Sequence, residues 1–191
     1  MLKGGTKNGA GIFYILSDAL NIKAICGVSV NGKLEIPGGK CEKGDPSIIH
    51  SAVRESVEEL GLHPKLYSKL VNHIQKYNIK TEIKYKNGKY VTYIVKINGF
   101  NFKQANSAAF RRLKMFNSMK KSRKNLLRPL VEMKKFELVD ITSDDVTNMR
   151  NRDRCFINNT VFMHQAHELA CNYDIPVFNE PFEFIDFNSV L

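Results

Sequence analysis

The stretch 37–62, PGGKCEKGDPSIIHSAVRESVEELGL, constrains this chain more than any other. A glycine pair, Gly38 and Gly39, leads through a polar turn into a segment ending Arg54-Glu55-Ser56-Val57-Glu58-Glu59-Leu60-Gly61-Leu62. Ile49, Val53, Val57 and Leu60 recur at i, i+4, i+8 and i+11, which is the stripe of one helical face. Asp45 before Pro46 predicts the start of that helix as an N-cap acid, and Gly61 predicts its stop. On such a helix Glu55, Glu58 and Glu59 fall at i, i+3 and i+4, so three carboxylates project from one side. Neighbouring carboxylates repel one another, and Mg²⁺ or Mn²⁺ relieves the repulsion because these ions prefer carboxylate oxygens. The bland alternative is an acidic, solvated helix face.

Upstream, residues 10–16 and 22–30 are rich in β-branched and aromatic side chains between turn formers, and both are expected as strands. Residues 33–36 make a short strand into the glycine turn. Residues 66–77 fit either strand or loop. Residues 79–85 and 90–97 flank Asn87-Gly88, a hairpin signal. A basic helix of about 15–20 residues is expected to begin after Lys103 and to end near Asn125 or Pro129. Residues 136–141 return to strand. Residues 142–145 cap a short helix, and Asn158-Asn159-Thr160 opens another that runs to about Asn172. The aromatic tail after Tyr173 is expected to pack as an irregular arm.

The 191 residues suffice for one domain, and no apolar run approaches a membrane span of about 18–20 residues. The N-terminus lacks the apolar core of a secretory signal. Four cysteines without regular spacing suit free thiols in a reducing compartment, so a cytoplasmic location is expected. The net charge of +10 points towards polyanionic partners. That charge is uneven: residues 103–135 hold eleven Lys/Arg and a single acid, Glu132.

The residues from Gly39 to Leu62 resemble the signature of the Nudix hydrolases, a glycine, a first acid, then R-E-U-x-E-E-x-G-U with U bulky and aliphatic. Arg54, Glu55, Glu58, Glu59, Gly61 and Leu62 match it. Asp45 stands for the first glutamate, eight residues rather than seven separate it from Arg54, and Ser56 replaces an aliphatic residue, which should loosen packing slightly. The resemblance implies an α/β fold, a Nudix-type α/β/α sandwich with a mixed sheet. The whole chain, 1–191, would be one such domain, with its box at 38–62 and a basic, helical insertion at about 103–131. It implies a metal-dependent pyrophosphohydrolase using Mg²⁺ or Mn²⁺, two or three ions, held by Glu55, Glu58 and Glu59. Similar enzymes often carry a further acid before the late strand, and Glu132 occupies that place; its alternative is a solvated charge interrupting a basic run. The ions would neutralise phosphate oxygens and acidify a water. Glu58 or Glu59 is placed to orient or deprotonate that water, with Glu132 the competing base. Arg54 is expected to orient these acids, and Gly38 and Gly39 to let backbone approach metal or phosphate.

Arg111, Arg112, Lys114, Lys120, Lys121, Arg123, Lys124 and Arg128 exceed what one nucleotide needs, and could track the phosphates of an RNA. In this the chain resembles Nudix enzymes, viral ones included, that remove the 5′ cap of messenger RNA. The expected reaction is hydrolysis of capped RNA to release (methylated) GDP, in the host cytoplasm if the source is viral. One alternative is a small-molecule Nudix hydrolase acting on diphosphoinositol polyphosphates, dinucleoside polyphosphates or damaged nucleotides. A second is a non-catalytic Nudix-fold module that binds RNA. Capped RNA or another polyphosphate is thus the expected partner, with no membrane.

Overall fold

The computed structural model describes residues 8–17, 21–85, 88–119, 131–142, 144–172, 174 and 176–185. These hold a seven-stranded mixed sheet: β1 (Gly9–Ser17), β2 (Ile22–Ser29), β3 (Leu34–Glu35), β4 (Gly38–Lys40), β5 (Lys80–Tyr85), β6 (Gly88–Ile97) and β7 (Met133–Asp140). The main path runs β3-β2-β1-β6-β5, with β4 paired to β1 and β7 to β2. β1 and β6 run parallel, from Gly9 opposite Tyr90 to Leu16 opposite Ile97, while the other pairings are antiparallel. Between the strands lie the helices α1 (Ile48–Leu60), α2 (Leu66–Tyr77), α3 (Phe102–Ser118), α4 (Asn151–Ile157) and α5 (Thr160–Cys171), with a 3₁₀ turn at Asp144–Asn148.

Alternation along the central strands builds two cores. Ala10, Ile12 and Tyr14 face α1 and α2 with Val91, Tyr93 and Val95, whereas Phe13 and Ile15 face Phe156 and Phe162 of α4 and α5. The result is the expected α/β sandwich with a layer of helix on each side. Residues 66–77 are helical because Leu66, Leu70, Val71 and Ile74 bury one face while the intervening positions carry Lys, Asn, His and Gln. α4 had no forecast in the sequence. The helix after Lys103 appears as α3 and ends at Met119, ahead of the expected stop. Asn106 on α3 caps the β7 edge by exchanging two hydrogen bonds with the Phe136 backbone, 2.6 and 3.1 Å.

The start of α1 also differs from expectation. Ser47, not Asp45, is its N-cap, and Asp45 serves the side chain of Arg54 instead. Gly61 does stop the helix, in the left-handed conformation with φ 68°, its N–H and that of Leu62 returning to Glu58 O and Val57 O. Ser56 does not leave a gap: it is fully buried and its hydroxyl pairs with that of Tyr14 at 2.7 Å. The aromatic arm packs as expected, with Phe178 and Phe182 in the α1/α2 core and Phe184 bridged to Leu62.

Candidate active site

β4 lays Gly38 and Gly39 beside Gly11 and Ala10 of β1, and α1 then crosses over them. A side chain at Gly38 would meet Gly11 Cα at 2.5 Å and Ala10 O at 2.6 Å, so only glycine permits this approach. At Gly39 a Cβ would sit 2.7 Å from Glu55 Oε1: the carboxylate lies directly on the bare backbone.

Arg54 is the hub of the acidic face. It forms a fork with Asp45, 3.0 Å from Nε and 3.1 Å from Nη2, and also donates to Lys40 O at 2.9 Å. Its Nη1 reaches Glu55 Oε1 at 2.9 Å and Glu58 Oε2 at 3.3 Å. Arg54 thus stands between Asp45 on one side and Glu55 and Glu58 on the other. Burial works against its charge more than any other single influence, but pairing with Asp45, Glu55 and Glu58 outweighs it and raises its pKa. Asp45 is held at about 2, chiefly by its bond to Arg54.

The three helix carboxyls are all shifted upwards. For Glu55 and Glu58 burial is the main cause, resisted by Arg54 and reinforced by neighbouring acids. Glu59 is buried beneath them, and burial lifts its pKa well above the ordinary carboxylate range. Its Oε2 accepts the Gly38 N–H at 2.7 Å, which opposes that shift, as does Arg152. Glu132 is exposed in the turn before β7, close enough for its charge to raise both Glu55 and Glu59. The sheet thus brings Glu132 towards the α1 acids although it lies 73 positions along the chain from Glu59 (132 − 59).

The chemistry of this donor set fits a hard divalent cation: clustered carboxylate oxygens whose protonation is favoured by burial and mutual repulsion. As placed, no three acidic, histidine or cysteine side chains among the described residues are arranged to hold an ion. Arg54 occupies Glu55 and Glu58, and Gly38 occupies Glu59. Each of these contacts engages a single carboxylate oxygen, Oε1 of Glu55, Oε2 of Glu58 and Oε2 of Glu59, so the bonds can orient the carboxylates while their second oxygens face an ion.

Arg112, expected among the substrate-binding cations, is instead buried, with 1% of its surface exposed. Its guanidinium faces the C-terminal carbonyls of α1, those of Glu58, Glu59 and Leu60, at 3.3–3.5 Å. There it complements the negative end of the helix, while burial lowers its pKa to about 10. Arg111 and Lys114 are exposed on α3. Lys120, Lys121, Arg123, Lys124 and Arg128 lie outside the described residues.

Two residues had no functional forecast. Arg152 and Asp153 of α4 are buried against the segment 36–38 from the other side of the sheet. In sequence they are an ordinary Arg–Asp step in a polar run, and only the fold reveals their contacts.

A family model described as the NUDIX domain matches residues 7–116, more than half of the 191-residue chain. The chain belongs to the Nudix family. The family is one of hydrolases acting on phosphoanhydride bonds and is generally metal-dependent. Over 31 residues it is 55% identical to the mitochondrial coenzyme A diphosphatase NUDT8 of Mus musculus and 52% to that of Homo sapiens. Those stretches span 16% of this Nudix chain and only 15% and 13% of the two curated relatives. The bifunctional NMN adenylyltransferase/ADP ribose pyrophosphatase of Francisella tularensis, complexed with AMP and Mn ion, shares the fold. It aligns with a TM-score of 0.52 at 10% identity, over 87% of this chain and 43% of that one.

Proposed function

We propose that this Nudix hydrolase is a divalent-metal-dependent diphosphatase whose substrate is a small nucleotide-derived pyrophosphate. The observation that carries the reading is the packing of Glu55, Glu58 and Glu59 against Arg54 and the Gly38-Gly39 backbone. These acids are costly to a bare fold and suited to a cation. A divalent cation bound there supplies charge neutralisation on the pyrophosphate and acidifies the attacking water. Arg54 keeps Glu55 and Glu58 on one side of the helix, and Asp45 fixes Arg54. Glu58 is the most accessible of the three, which supports it as the group that takes a proton from water. Glu59, buried under Gly38, is the more rigid ligand.

Two observations favour a small substrate over capped RNA. Arg112 is withdrawn from the basic surface. The curated relatives and the Francisella structure carry names of enzymes for coenzyme A and ADP-ribose, both pyrophosphates of nucleotide type. Capped RNA is the competing substrate, supported by exposed Arg111 and Lys114.

The test is a panel: coenzyme A, ADP-ribose, a dinucleoside polyphosphate, a diphosphoinositol polyphosphate and 5′-labelled capped RNA, each with Mg²⁺ or Mn²⁺, with products identified by mass. The expected result is cleavage of one or more nucleotide pyrophosphates, with kcat within about twofold of wild type in the Arg111→Glu/Lys114→Glu variant, since exposed charges bear on encounter more than on turnover. Efficient release of GDP from capped RNA alone, abolished by that charge reversal, would replace this reading with decapping.

A further inference from the structure

We propose that Arg152 and Asp153 are the positioning pair of this site: from α4 they fix the backbone of residues 36–38 so that Gly38 N–H holds Glu59 in place. The inference rests on Glu59 belonging to the metal-binding set.

The pair addresses that backbone at three points. Arg152 donates to Ile36 O from Nη2 at 2.9 Å and to Gly38 O from Nη1 at 3.1 Å. Asp153 Oδ2 accepts the Ile36 N–H at 3.0 Å. Within the pair, Arg152 donates to the Asp153 carboxylate through Nε at 2.5 Å and Nη2 at 3.1 Å. The face of the guanidinium rests on the Tyr90 ring, 4.5 Å from its centroid, and the Tyr90 hydroxyl is tied to Ala10 O at 3.0 Å. Opposite, Ile12 N–H holds Pro37 O at 3.0 Å. Residues 36–38 are thus gripped from both sides, and their remaining directed group, the Gly38 N–H, goes to Glu59.

The grip has its own anchor. Arg150, just before α4, donates its N–H to Leu34 O at 2.9 Å and its side chain to Glu35 at 2.7 Å, which locks α4 to β3. Arg152 and Asp153 are 5% and 1% exposed. Buried ion pairs add little net stability compared with apolar packing of the same volume, so stability alone is a poor reason for this one. Positioning gives it a purpose: a guanidinium can bridge two carbonyls and a carboxylate at fixed angles, which no apolar residue does. It also places a positive charge near buried Glu59 without touching it. Outer-sphere partners of this kind set how well a ligand is presented to a metal.

The test uses full-length Arg152→Met, Arg152→Lys and Asp153→Asn beside wild type and Glu59→Gln. Mn²⁺ binding is measured calorimetrically without substrate, together with thermal unfolding and the steady-state kcat and KM. Arg152→Met is expected to weaken Mn²⁺ binding about 10–100-fold, and to lower kcat while KM for substrate changes less than about threefold. Arg152→Lys, which keeps charge but not the fork, is expected to fall between it and wild type. A folded Arg152→Met that binds Mn²⁺ as wild type does overturns the proposal. If Arg152→Met does not fold, wild-type Mn²⁺ binding by folded Arg152→Lys and Asp153→Asn overturns it equally. If Glu59→Gln itself binds Mn²⁺ like wild type, the assignment of Glu59 to the metal site has failed, a result separate from loss of the positioning role alone.

Discussion

Asp45 stands one residue further from Arg54 than the family spacing expects, and the turn before α1 absorbs the difference. Asp45 N–H returns to Glu42 O at 3.1 Å, Glu42 N–H donates to Asp45 Oδ2 at 2.9 Å, and Ser51 adds a bond at 2.7 Å. The carboxylate therefore still meets Arg54 in a fork. Its folded pKa of about 2 lies below the unfolded value of about 3.9. Its stabilisation is accordingly present above about pH 4 and lost as pH falls towards 2. Asp45→Asn should be less stable than wild type near neutrality and lose less on acidification; Tm measured between pH 6 and pH 2.5 for both proteins checks this. Glu59 has the opposite sign. Burial raises its pKa, so ionisation opposes folding as pH rises above about 4.3, the unfolded value. Without metal, Glu59→Gln should be as stable as wild type or more so by about 1 kcal/mol, because glutamine still accepts from Gly38 without a buried charge. Its turnover should nevertheless fall roughly 10²–10⁴-fold. At this scale the i, i+3, i+4 spacing made the acids and Arg54 legible. Arg112 was misread because a cation within a basic run looks like surface, and nothing local reveals that it points inward.

Among the elements, α1 depends on what covers its C-terminal end. Arg112 from α3 closes over the last carbonyls, and the space it occupies exists because Gly61 has no side chain. A Cβ there would lie 2.5 Å from the guanidinium carbon, on a backbone already at φ 68°. Arg112→Met keeps most of the volume and deletes the hydrogen bonds, and should cost about 2 kcal/mol in denaturant unfolding. Arg112→Ala adds a cavity and should cost about 3–4 kcal/mol. Wild-type stability in both would refute the inward role of Arg112. Strands β1, β2, β5, β6 and β7 were legible from alternation and from the Asn87-Gly88 signal. α2 was not, since its buried face is only four residues wide and interrupted by aromatic and basic side chains. α4 is seven residues long, too short for periodicity to register, and its importance comes from contacts 114 to 117 positions away in sequence.

The whole molecule joins its two cores through the central sheet, and the candidate site draws on both. Glu55, Glu58 and Glu59 come from the helical layer over one face, while the grip of Arg152 and Asp153 comes from the other. The chain carries a formal net charge of +10, which should speed encounter with any polyphosphate. That effect is screened by salt, so kcat/KM should fall between about 50 and about 300 mM salt, as the Debye length contracts below about 10 Å, while kcat stays nearly constant. The sequence made the sandwich and the reaction class readable because both depend on local periodicity and one dense motif. It does not decide the substrate, because total charge does not say which cations face the solvent: Arg112 is buried while Arg111 and Lys114 are exposed. The most direct measurement is phosphorus-31 NMR of a nucleotide pyrophosphate incubated with wild type, Glu58→Gln and Glu59→Gln, with and without Mg²⁺. Cleavage of the phosphoanhydride is expected from wild type only when Mg²⁺ is present, with both variants slowed at least about 100-fold. Cleavage by the variants at the wild-type rate, or metal-independent cleavage by wild type, would contradict this expectation.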